Sequence, residues 1–318
     1  MKTIIAATCL VFLIACDGAN AQLSATTTLG GNLSAGQDRT TGVTAGNYTC
    51  PNVTVDSTGR LTSISNGSCS GSGGGGRTLL VANQNYYFNC ASGSDTTGNG
   101  TSANPWATPV KAYQVAQQTL DLAGQYKVIA NSQATCTGVN WSFTGDLPPG
   151  SFGLGSFVVE GANFTGIVSI GDGTTAGFPQ IDFDNATYTP SASSFGVNVG
   201  IGRVIFTGTT YLTTALNAEI LHVVTTGSTG AFNGTVYLSS SSGALTGIGN
   251  AEDGAVIFPG YWGANWIFNG YPSWSQFAFQ SDYNGVIDWS GATCSGGYTG
   301  PASRGVAGGQ VLGATGCP

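Results

Sequence analysis

Three stretches decide the fold: Ser156-Phe-Val-Val-Glu-Gly161, Gln180-Ile-Asp-Phe-Asp-Asn185 and Arg203-Val-Ile-Phe-Thr-Gly208. Each is a short apolar run closed by Gly or Asn, and they superimpose at steps of 24 and 23 residues. A fixed step of this length means that each strand lies on the one before it, as the coils of a solenoid do. Because side chains alternate across a strand, Phe157 and Val159 then stack on Ile181 and Phe183, and these on Val204 and Phe206. The result is an apolar column along the axis, and the fold class is all-β, a single-stranded parallel β-helix. A β-sandwich is the main rival, but it shows alternation without the fixed step. Asn233-Gly234, Asp253-Gly254 and Asn284-Gly285 open further strands with dipeptides suited to left-handed turns.

Composition agrees with many short strands and turns. The chain has 318 residues, of which 51 are Gly and only 7% are charged. Helical runs of Glu, Lys, Arg and Leu at 3.6-residue spacing are almost absent, which argues against all-α and doubly wound α/β folds. The formal net charge of −7 disfavours nucleic acid and anionic membrane surfaces as partners. Neutral glycans or proteins fit better.

Residues 1–21 read as a signal peptide: Lys2 gives a positive start, Ile4 to Ala15 is apolar, and Ala19-Asn20-Ala21 offers a small-residue cleavage site. A competing reading takes Leu13-Ile14-Ala15-Cys16 as a lipobox, with a lipid anchor at Cys16. Either way the destination is secretion or the cell surface, with no transmembrane segment in the mature chain. Six cysteines remain after the leader, with no CxxC pair and a single His, so disulfides are expected rather than metal ligands. The favoured pairing joins Cys50 to Cys69, Cys90 to Cys136 and Cys294 to Cys317.

Residues 22–76 form an N-terminal module that ends in the Gly-rich linker Gly71-Ser-Gly-Gly-Gly-Gly76. Within it, Val53 and Val55 face Leu61 and Ile64 around Asp56-Ser-Thr-Gly59, a hairpin pattern. The stretch Asn52-Val-Thr-Val-Asp-Ser-Thr-Gly-Arg-Leu-Thr-Ser-Ile-Ser-Asn-Gly67 resembles an element of bacteriophage tail-fibre proteins. The leader and the paired cysteines set this chain apart from virion proteins and imply an exported relative of them.

Residues 77–318 form the β-helix domain. Near its start, Gly93-Ser-Asp95, Gly98, Gly100-Thr101 and Pro105-Trp106-Ala-Thr108 precede one amphipathic helix. Thr108 is its N-cap, Pro109 its first residue and Gly124 its far end, with Val110, Tyr113, Ala116 and Leu120 on one face. This order resembles the N-terminal cap of right-handed, pectate-lyase-like β-helix proteins, many of them exported or phage-encoded. The resemblance implies that the helix covers the open end of the first coil and that the coils wind right-handedly. No cofactor is expected. Asp95 and its glycines make a turn, with calcium as the one metal reading they allow.

Chemistry on such a scaffold would come from carboxylates on the outer face. Glu160 and Asp184 share an outward column with Thr207, and Asp182 points the same way two residues earlier. At the rung spacing of about 4.8 Å such a pair could act as acid and base on a glycosidic bond, though a solvated acidic stripe is the plainer reading. His222, in Glu219-Ile-Leu-His-Val-Val224, is expected to be an ordinary strand residue with a satisfied hydrogen bond. Late aromatic residues, with Trp262, Trp266 and Trp274 foremost, are candidates for stacking on sugars; equally, they fill the last coils or a subunit interface. The preferred function is an extracellular structural or adhesive protein that binds a surface glycan or self-associates, with a homotrimer as the tail-fibre analogy implies. The alternative is a secreted polysaccharide lyase or glycoside hydrolase.

Overall fold

The computed structural model describes residues 51–57, 61–66, 77–171, 177–190, 195–215, 218–242, 245–313 and 316–318. The leader, Cys16, the Cys50–Cys69 pair and the Gly-rich linker lie outside them. Contacts divide the chain into two units, Met1–Cys69 and Ser70–Pro318. In the first, Pro51–Val55 pairs antiparallel with Leu61–Asn66, setting Val53 opposite Ile64 and Val55 opposite Leu61 as a hairpin requires.

The second unit is a parallel β-helix. Apart from the short pair Thr78–Leu79 and Leu120–Asp121, its described strands form one nine-stranded and two seven-stranded sheets, and from Val128–Ser132 onward successive strands visit the three sheets in turn. Every pairing within these sheets is parallel. The first sheet holds Phe157–Glu160, Gln180–Asp184 and Arg203–Thr207 side by side. Phe183 lies in register with Val159 on one side and Phe206 on the other, and Ile181 lies opposite Val204. All five are fully buried. The second sheet adds Asn163–Phe164, Thr187–Tyr188, Thr209–Ala215, Thr235–Ser242 and Asn265–Asn269 among its strands. The third includes Val168–Ile170, Phe195–Val199, Glu219–Val223, Gly247–Ala251 and Phe279–Ser281.

The core is a ladder of rings. Phe183, Phe206 and Phe232 stack face to face at 5.4 and 5.1 Å, Phe164 stacks on Tyr188 at 4.5 Å, and Trp266 closes on Phe232 at 4.9 Å. From Phe183 to Phe232 like residues meet like because the coils keep their register, so these rings find partners of their own size on the next rung. The corner between the first and second sheets explains the short turns there. Gly161, Asn185, Gly208 and Gly234 occupy it in four successive coils, all with φ between 53° and 91°. That left-handed conformation suits Gly and is tolerated by Asn.

The single helix of the described residues, Pro109–Thr119, begins as its sequence dictates. Thr108 Oγ1 accepts from the Lys111 backbone N–H, and Pro109 opens the first turn. Asp95 fixes this cap: its carboxylate accepts from the Ala107 and Thr108 N–H groups at 2.8 and 3.0 Å and from the Thr108 hydroxyl at 2.8 Å. Gly93 is there for a steric reason, since a Cβ would lie 2.1 Å from the Trp106 carbonyl oxygen. Ala112, Tyr113 and Ala116 are buried, whereas Val110 is only half-buried. The helix stops earlier than the glycine signal suggests. Leu120 is already extended because Leu120–Asp121 pairs with Thr78–Leu79, so Gly124 belongs to the following turn.

Two disulfides staple the coils, Cys90 to Cys136 and Cys294 to Cys317, as the sequence pairing expects. They indicate an oxidising compartment. Among the described residues no helix is long and apolar enough to cross a membrane.

Candidate functional site

The acidic candidates stand where the repeat puts them. Asp184 is in register with Glu160 on one side and Thr207 on the other. Asp182 sits between Val158 and Ile205, an apolar outer column in which these two neighbours are 5% and 3% exposed. Asp182 is itself buried and accepts from the Thr207 hydroxyl at 2.7 Å. Loss of solvent pushes its carboxyl up to about 6, with the nearby Asp184 and Glu160 adding to the shift and Thr207 and Lys127 opposing it. Burial also raises Glu160, against the hydrogen bond at 3.1 Å that it accepts from the Asn185 side-chain amide. Asn185 in turn accepts from the Thr209 N–H at 3.0 Å. These bonds run between neighbouring coils and brace the glycine corner.

The aromatic candidates separate by burial. Trp266 and Trp274 are core residues: Trp266 is packed among Phe232, Phe279 and Trp289, and its indole N–H donates to the Pro259 carbonyl at 2.9 Å. Trp274 donates to the Pro301 carbonyl at 2.6 Å and stacks on Tyr298. Neither can meet a ligand from outside, because filling the last coils claims both rings. Trp262 alone of the three is open, 78% exposed and stacked on Tyr261 at 4.4 Å. The other exposed rings of this region, Tyr271, Tyr283 and Tyr298, lie at other corners of the coil than Trp262, so they do not extend it into one strip.

A denser polar site lies on the outer face of the third sheet. Register places Asn198, His222, Asn250, Gln280 and Arg304 in one ladder, one residue per coil. Acids gather beside it. Glu252 Oε1 lies 3.2 Å from His222 Nε2, a contact that becomes an ion pair when the ring is protonated, and it accepts from the Asn250 amide at 2.7 Å. Gln280 donates to Asp282 at 2.5 Å and accepts from Arg304 Nε at 2.6 Å. Phe195, 45% exposed, stacks on the His222 ring at 4.1 Å. Glu219, on the His222 strand, is pushed up to about 7 by burial first and by the negative charges of Glu252 and Asp282 second.

The expectation of a satisfied His222 is corrected here. Both of its ring nitrogens are buried without a hydrogen bond, the 3.2 Å approach of Nε2 to Glu252 lacking hydrogen-bond geometry, and Asn198 Oδ1, Asn250 Oδ1 and Glu219 Oε2 are unpaired as well. Buried polar atoms left unpaired cost roughly 1–3 kcal/mol each, so the five on these four residues call for an explanation. Past this face, where the strands turn back toward the first sheet, Thr226, Asp253, Gly254, Tyr283 and Asn284 line an open groove.

Fold and site together define a parallel β-helix protein with a polar, acid-bordered ladder on one outer face. Comparison with family models, with curated proteins and with solved structures gives no match.

Proposed function

We propose that the chain is an exported structural or adhesive β-helix, tail-fibre-like in build, that holds a surface glycan along the outer face of its third sheet. The observation that carries this reading is the ladder of polar side chains Asn198, His222, Asn250, Gln280 and Arg304, one per coil, with the exposed Phe195 ring beside it. Rungs about 4.8 Å apart present these groups at intervals comparable to one sugar unit, so an extended polysaccharide can satisfy successive coils with its hydroxyl groups. Phe195 offers a ring face beside them. A pectate-lyase-like winding and a homotrimer are part of the same proposal.

Cleavage of the glycan is the second reading, favoured by Asp182, whose carboxyl burial pushes up to about 6 beside Glu160 and Asp184. One experiment separates the two. The mature chain is incubated with a panel of acidic, neutral and amino polysaccharides, following binding by co-sedimentation and chain length by gel filtration. Binding without shortening is expected, weakened by the double variant Asn198→Ala/Asn250→Ala. Depolymerisation that disappears in Glu160→Gln or Asp184→Asn would refute the adhesive reading, and failure to bind any member would remove the glycan altogether. Sedimentation velocity tests the trimer, against which a monomeric mass would count.

A further inference from the structure

We infer that the groove at the corner between the third and first sheets is a subsite for an uncharged hexopyranose unit, stacked on Tyr283 and held by Asp253; this rests on the glycan reading above and adds a second contact beside its ladder. The corner is built of β-turns stacked coil on coil. In residues 252–255, 282–285 and 306–309 the fourth N–H donates to the first carbonyl at 2.8 or 2.9 Å. Both central residues of each turn are left-handed: Asp253 and Gly254 at φ 51° and 78°, Tyr283 and Asn284 at 47° and 67°, Ala307 and Gly308 at 49° and 91°. Asp, Asn and Gly suit such a turn, whereas a bulky aromatic residue opposes it. The turn therefore does not account for Tyr283. Nor does the core, since the ring is 61% exposed.

The other open rings of this coil have protein against them. Trp262 is stacked on Tyr261, and Tyr271 lies over Gly297, where a Cβ would come within 2.3 Å of its ring. Tyr283 instead lines a groove of about 550 Å³ with Thr226, Asp253, Gly254 and Asn284. Gly254 keeps that groove clear, because a Cβ there would come within 3.0 Å of Thr226 Oγ1. Among the described residues nothing bonds to the Asp253 carboxylate or to the Asn284 side-chain amide, and both residues are exposed, so their polar atoms are open to a ligand. A carboxylate accepts from two adjacent hydroxyl groups, and an amide both donates and accepts. A pyranose carries hydroxyl groups around its edge and C–H groups on its face, which pack on the flat of an aromatic ring. No Lys or Arg lines the groove, so an acidic sugar would meet the Asp253 charge unscreened. The groove spans the coils of His222, Asn250 and Gln280, and a glycan lying on the ladder has it alongside.

The test is isothermal titration of the mature chain with oligomers of β-1,4-glucan, β-1,3-glucan, β-1,4-mannan and β-1,4-galactan, and of α-1,4-galacturonan. At least one neutral oligomer is expected to bind, and the galacturonan at least about tenfold more weakly. Tyr283→Asn should weaken the neutral oligomer at least about tenfold while melting no lower than the parent, since Asn suits the left-handed position. Tyr283→Phe, which keeps the ring face, should bind within about threefold of the parent. Asp253→Asn should narrow the gap between neutral and acidic oligomers, and Tyr271→Ala, at another corner, should change nothing. Undiminished binding by Tyr283→Asn, a lower melting temperature of that variant, an equal loss in Tyr271→Ala, galacturonan bound as tightly as the best neutral oligomer, or no neutral oligomer bound would each overturn the inference. The ladder reading survives any of these if the wider panel still binds and Asn198→Ala/Asn250→Ala weakens it. If no polysaccharide of that panel binds either, the glycan reading itself fails.

Discussion

Glu219→Gln is expected to stabilise the protein, and only above the acid range. The Glu219 carboxyl is lifted from an ordinary value of 4.5 to about 7, mainly because the third-sheet face withholds water from its ionised form. The folded chain thus keeps a proton that the unfolded chain has already lost. Linkage then fixes the sign: the stability tied to this proton is complete below the unfolded value of 4.5 and is lost as pH rises through about 7. Once both states are ionised the penalty amounts to roughly 3 kcal/mol. Glutamine keeps the shape and the neutral state at every pH, so the variant escapes the penalty. For a unit of this size that is a rise in melting temperature of roughly 5 to 10 °C at about pH 8, and little change at about pH 4. Asp182, raised to about 6, declines in the same sense and is common to both proteins, so it cancels in the comparison. Calorimetric melts of the two proteins at both pH values measure the difference. A variant that melts no higher than the parent at the upper pH would refute the claim that this acid is held against its charge.

Two further outcomes follow from the core and the staples. Phe206→Ala removes the middle ring of the Phe183–Phe206–Phe232 stack and should cost about 3–5 kcal/mol, read as a lowered melting temperature with the fold's circular dichroism retained. Replacing Cys90 and Cys136 together by Ala opens a bridge that spans 46 residues; chain entropy predicts a loss of about 4 kcal/mol, seen as earlier unfolding in urea.

How much of this was legible in the sequence depends on turn length. Phe157 to Thr207 could be aligned because the coils there are nearly equal, and the register matches the alignment residue for residue. The third-sheet ladder was not legible by the same rule. From Asn198 to His222, Asn250, Gln280 and Arg304 the steps are 24, 28, 30 and 24 residues, since the later turns carry insertions that a fixed period misses. By its own sequence context His222 is an ordinary strand residue, and only the neighbouring coils show that its ring nitrogens are left without hydrogen bonds. Trp266 and Trp274 illustrate a different gap. An aromatic residue suits a sugar platform and a solenoid core equally well by type, and the inward position of Trp266 follows only from its register with Val236. The helix start was legible because Thr108 and Pro109 act locally, while its end is set by a distant pairing with Thr78–Leu79.

Everything proposed for the third sheet depends on Ser169, Asn198, His222, Asn250 and Gln280 lying on five consecutive rungs. Nitroxide labels carried at Ser169 and Gln280 by unnatural amino acids give the direct measurement, read by pulsed electron spin resonance. Four rung spacings put the two backbones about 19 Å apart, so a single narrow distribution near that value is expected. A broad distribution, or one centred well beyond the reach of the label arms from that distance, would contradict the stacked register and dissolve the ladder.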